Sequence, residues 1–209
     1  MDSKLRERCD RQLENEKALR NMSSLEAESS IKVGSLLYTS MNLPVNDSSM
    51  DASKKILAEK AHLFPNVRGF LLTLILIRMS ISDDPEIYID TIIRIYNRLE
   101  KDSGISGLFT VITSVILMEE YKNRDIDQAV QQVLDLFRQI NERHPDRVNA
   151  SELAYVALML SAGKADTRLE DEKEKIAAAL KAKLQVSDDT ARAISLVLMT
   201  NSAPADVKV

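Results

Sequence analysis

The chain has 209 residues, a formal net charge of −4 and a pI near 5.4, which weighs against a protein whose main partner is a nucleic-acid backbone. Five glycines and five prolines are too few for a strand-rich fold that turns every ten residues. Cys9 is the only cysteine, so there is no disulfide framework and no thiolate metal site.

The amino terminus, Met1-Asp2-Ser3-Lys4-Leu5-Arg6-Glu7-Arg8, carries both signs of charge and no apolar run, so no secretory signal is expected there. Residues 1–24 are expected to hold a charged helix, over 2–22, with Leu5, Cys9 and Leu13 at intervals of four as its packing stripe. The remainder, 25–209, is expected to form one helical domain of two alternating kinds of helix. Short apolar A helices are expected near 30–41, 66–81, 106–121, 150–162 and 188–200. Longer amphipathic B helices are expected near 48–62, 85–101, 126–143 and 167–184.

The segments Phe70 to Ile77 and Val111 to Met118 are apolar around most of the circumference, so the A helices should form an inner layer. Phe70, Leu72, Leu74, Ile77, Val111, Val115, Leu158 and Leu196 should then be almost fully buried. In the B helices the apolar residues recur every three or four positions. Ile89, Ile92, Ile93, Tyr96 and Leu99 form one such face, and Ile126, Ala129, Val130, Val133, Phe137 and Ile140 another. Lys173 interrupts the equivalent face of the last B helix. Asp84-Pro85 places a capping acceptor before a proline at the first helical position, and Gly163 should close an A helix.

The A runs end in Met41, Met79, Met118, Met159 and Met199, and each is followed by an aspartate: Asp47, Asp84, Asp125, Asp166 and Asp206. A recurrence at ~40 residues is the mark of a helical repeat. The expected fold is therefore all-α, a tandem helix-hairpin array of superhelical or solenoid-like form, with the charged N-terminal helix as a capping half-repeat.

Asp83, Asp84, Glu86, Asp125 and Asp166 would lie along one edge of such an array. That acidic edge could gather a cation or a basic segment, but helix capping accounts for both residue type and position. The methionines read as core filling. His62 and His144 end B helices, where a cation complements the helix dipole, and Arg68 and Arg78 flank the most apolar helix as surface residues. No metal, cofactor or catalytic residue is expected, since phosphate loops, nucleophile elbows, paired histidines and calcium loops are all missing from the sequence. The most apolar stretch is far shorter than the ~20 residues that cross a bilayer, so a cytoplasmic protein is expected.

At Arg68-Gly69-Phe70-Leu71-Leu72, Asp83-Asp84-Pro85-Glu86 and Ile95-Tyr96-Asn97-Arg98-Leu99, followed by Gly107-Leu108-Phe109, the chain resembles an uncharacterised family of bacterial all-helical proteins. The resemblance covers residues 27–184. That family is a domain of unknown function, so the resemblance implies a bacterial origin and no activity.

The function expected is that of a non-enzymatic scaffold or adaptor that binds a protein partner, with a homodimer as one form of it. A small-molecule or lipid-binding helical domain, or an enzyme whose site is scattered over several helices, is the alternative. The candidate partner surface is the last A helix, at Arg192, Leu196, Leu198 and Met199. Asp206 stands where a covering B helix would begin, and only three residues follow it.

Overall fold

A computed structural model describes residues 3–22, 28–63, 69–122, 124–143, 150–163 and 168–185, and beyond them 187, 191, 192, 194, 195 and 199. All regular structure among the described residues is helical. In chain order the helices are α1 (Ser3–Asn21), α2 (Glu28–Ser40), α3 (Asp47–Lys60) with a 3₁₀ turn at Ala61–Leu63, α4 (Phe70–Ile81), α5 (Pro85–Ser103), α6 (Leu108–Tyr121), α7 (Ile126–Arg143), α8 (Ala150–Ser161) and α9 (Arg168–Leu184).

The helix starts follow local chemistry. Asp84 Oδ1 accepts from the N–H groups of Glu86 (3.1 Å) and Ile87 (2.9 Å), so α5 opens on a capped proline. Asp125 Oδ1 accepts from Gln128 N–H at 3.0 Å at the head of α7. The cap of α3 is Asn46, whose Oδ1 takes the N–H of Ser49 at 3.1 Å, and Asp47 is the first helical residue. The apolar helices α4 and α6 instead follow Gly69 (φ 61°) and Gly107 (φ 103°), a backbone region that costs glycine little.

The chain divides into two compact units, Met1–Arg94 and Ile95–Val209, with the boundary inside α5. In the first, α1 packs on α2, and both α2 and α3 pack on α4. Its core contains Leu19, Ile31, Tyr38, Met50, Leu57, Ile75, Ile77 and Met79. The α2–α4 contact is close because of Gly34. A Cβ there would lie 2.6 Å from Ile77 Cδ1. Tyr38 bridges the same two helices, its hydroxyl 2.6 Å from Ser80 Oγ. Ser80 donates its own hydrogen to the Ile77 carbonyl (2.7 Å), so Tyr38 is the donor of the pair. Burial pushes the Tyr38 phenol above its ordinary pKa.

In the second unit α6 and α7 both pack on α8. Val111, Leu117, Val133, Leu134, Phe137, Leu153, Val156 and Met159 form its core. Tyr96 is buried there as well, donating to Glu100 Oε1 at 3.2 Å. Two charges are buried in this core. Lys173 Nζ on α9 lies 2.7 Å from Glu152 Oε2 on α8 and 4.0 Å from the centre of the Tyr155 ring.

The inner-layer expectation needs correction at its edges. Ile77 and Val111 are fully buried, but Phe70 is 43% exposed, and Leu72, Leu74, Val115 and Leu158 are only partly covered. Phe70 opens α4 directly after Gly69, and burial on that helix begins at Ile75, where the packed face comes into register. Leu196 lies outside the described residues.

Candidate functional site

An open apolar groove lies between α1 and α2. It encloses about 530 Å³ and is lined by Arg8, Cys9, Gln12 and Leu13 from α1 and by Leu36, Thr39 and Ser40 from α2. Leu13 is 65% exposed, Leu36 57% and Leu5, one turn before Cys9, 53%.

The groove exists because α1 turns a polar side, rather than its leucine stripe, toward α2. Asn15 is buried, and its amide nitrogen donates to Thr39 Oγ1 (3.1 Å) and to the Leu43 carbonyl (3.0 Å). Its amide oxygen accepts from Val45 N–H (3.0 Å). One side chain thereby holds the α2–α3 connection against α1. Gln12 donates to Ser35 Oγ at 2.6 Å, and Leu19 fills the core one turn beyond Asn15. A triad closes the far end: Arg20 donates to both Glu16 and Glu28, which raises the arginine pKa and lowers that of Glu28.

With Asn15, Gln12 and Leu19 facing inward, Leu5, Cys9 and Leu13 are left toward solvent. Cys9 is exposed, which corrects the expectation that it packs. The sequence signal was present in Asn15, a polar residue with the capacity to satisfy three backbone and hydroxyl groups, but its partners lie 24 to 30 residues away.

Asp84 and Asp125 are engaged as caps, as described above. Asp83 is exposed, and Glu86 accepts from Lys60 Nζ at 3.3 Å together with Asp90. These bonds, led by the one to Asp90, raise the Lys60 pKa. Asp166 lies outside the described residues. Among the described residues no three His, Cys, Asp or Glu side chains are grouped to hold a metal ion.

Met199 is buried, as are Ala191 and Ser195, and Arg192 is ion-paired with Glu174 at 3.2 Å. Leu196, Leu198 and Asp206 lie outside the described residues, as do His144 and Arg68. His62 is exposed in the 3₁₀ turn after α3. Met79, Met118 and Met159 fill the core, while Met41 is exposed with its sulfur 3.6 Å from Arg78 Nη1.

The chain belongs to a family described as "protein of unknown function (DUF4003)", which matches residues 12–209 and so begins inside α1. No curated protein matches the chain significantly, and neither does any solved structure. Among the described residues no helix is long and apolar enough to cross a membrane.

Proposed function

We propose that the protein is a non-enzymatic helical-repeat module that binds a protein partner, and that the α1–α2 groove is where it does so. The observation that carries the reading is the exposure of Leu5, Cys9, Leu13 and Leu36 on one open apolar surface. Cys9, Leu13 and Leu36 are gathered along one groove rather than scattered singly over the surface, which favours an interaction site.

The repeat reading draws support from the packing. In the first unit an A helix packs on the next A helix (α2 on α4) and a B helix packs on the A helix that follows it (α3 on α4). The second unit repeats both relations with α6, α7 and α8. By this pattern α1, packed on α2, takes the place of a B helix ahead of the first pair. A cytoplasmic setting goes with the reading, because chains of oxidising compartments commonly carry disulfides.

The test is capture from an extract of the source cells on immobilised full-length chain, comparing the wild type with Leu13→Glu and Leu36→Glu. A partner retained by the wild type and lost by both variants supports the reading. Identical captures by all three overturn it. The volume of the groove also falls in the range of small-molecule sites. A partner lost instead when the extract is stripped of lipids and metabolites favours that second reading.

A further inference from the structure

We propose that α1 is a releasable latch, which opens from α2 in a local transition while the rest of the first unit stays folded. The groove exists only while the latch is closed. That consequence rests on reading the groove as the binding site; the opening itself does not.

The inference comes from what holds α1 down. Residues 4–10 are all exposed, and so is Leu13. In the rest of the helix Leu19 is the one apolar side chain that is buried, and Asn15 is its buried polar companion. Leu19 fits over Gly34, where a Cβ would stand 3.1 Å from its Cδ1. The contrast is with α7, a helix of similar length that buries Val130, Val133, Leu134, Phe137 and Ile140 along one face.

Apolar stabilisation scales with the area taken from water, so α1 lacks most of the free energy that holds α7 in place. Polar bonds stand in for it: the three of Asn15 and the one from Gln12 to Ser35. Each is exchanged for a bond to water when the helix lets go, so its net contribution is small. The tie from Arg20 to Glu28 is exposed, where an ion pair adds little and salt weakens it further. Helices in proteins draw most of their stability from packing, so a released α1 also loses its helical order. Elements held in this way open at free energies well below that of the whole domain.

Opening switches the groove off. α1 supplies Arg8, Cys9, Gln12 and Leu13 and α2 supplies Leu36, Thr39 and Ser40, so neither helix makes the groove alone. The same motion uncovers Ser35 and Thr39, which the polar side of α1 covers in the closed form. A molecule bound in the groove binds only the closed state and therefore holds the latch shut.

Buried serines give a matched pair of reporters. Ser35 on α2 and Ser53 on α3 are both 0% exposed and lie in the same unit. In a Cys9→Ser background, full-length Ser35→Cys should be alkylated by a maleimide about a hundredfold or more faster than Ser53→Cys, because opening α1 reaches only the former. Adding Asn15→Ala should speed Ser35→Cys about tenfold further and leave Ser53→Cys unchanged. Hydrogen exchange of the unaltered chain repeats the test without a substitution. Amides of α1 beyond its first turn should exchange about a hundredfold or more faster than those of α4. Equal alkylation at the two positions overturns the proposal, as do α1 amides as protected as those of α4. So does Asn15→Ala speeding both thiols alike, since that opening would be global. None of those results touches the groove as a binding surface, which falls only if capture is insensitive to Leu13→Glu and Leu36→Glu.

Discussion

Replacing Lys173 with methionine should be among the most damaging single changes in the second unit, and adding Glu152→Leu should reverse most of the damage. The two side chains are 3% and 7% exposed and joined at 2.7 Å, with the ammonium over the Tyr155 ring. Glu152 and Tyr155 are one turn apart on α8, so both clamp the same charge. Methionine keeps most of the lysine's length but leaves the Glu152 carboxylate buried without its cation, at a cost of about 3–5 kcal/mol. The loss of the cation–π contact adds up to ~2 kcal/mol. Against a domain stability of ~5–15 kcal/mol this is a large fraction. The double variant removes both desolvated charges and should be near neutral or more stable than the wild type by ~1–4 kcal/mol. Urea unfolding followed by circular dichroism reads both, with the single variant lowering the midpoint by more than about 1 M. A single variant within ~1 kcal/mol of wild type would mean that the pair is hydrated. A double variant less stable than the single would mean that the pair itself drives α8–α9 packing.

Three further outcomes are expected. Asp84→Ala and Asp125→Ala should each lower stability by ~0.5–2 kcal/mol in the same assay, with the asparagine variants nearly neutral; equal losses for Ala and Asn would rule out capping. Tyr38, Tyr96 and Tyr121 all have pKa values raised chiefly by burial. Their protons are held more tightly in the folded state, so stability should be intact below about pH 10 and fall as pH rises above it. Tyr38→Phe should make that alkaline loss shallower, and an unchanged slope in urea melts against pH would refute the assignment. Finally, Gly34→Ala should clash with Ile77 Cδ1, and Ile77→Val removes that atom. The double variant should exceed the sum of the singles by ~0.5–3 kcal/mol, and strict additivity would show that the α2–α4 contact is looser than described.

Helix identity was legible in the sequence because it depends on short-range signals. Asp84-Pro85 and the spacing from Ile126 to Ile140 announce α5 and α7 nearly to the residue. What the sequence concealed was which face of a weakly patterned helix turns inward. The stripe Leu5, Cys9 and Leu13 looks like the packing face of α1, yet Asn15 determines the rotation through three bonds to groups between Thr39 and Val45. The groove follows from that rotation, so it too was hidden. Lys173 was read as thinning an apolar face for the same reason, since its carboxylate lies 21 residues earlier on another helix.

The most direct test uses Cys9 as a reporter, because it is the only thiol and it lines the groove. Its rate of alkylation by a maleimide can be followed by mass spectrometry over a range of protein concentrations and in extract from the source cells. If the groove engages a protein surface, whether a second copy or another chain, the rate falls as that occupant is added. Leu36→Glu should then keep Cys9 reactive throughout. A wild-type rate unchanged at every concentration and in every extract would contradict the assignment of this groove as the binding surface.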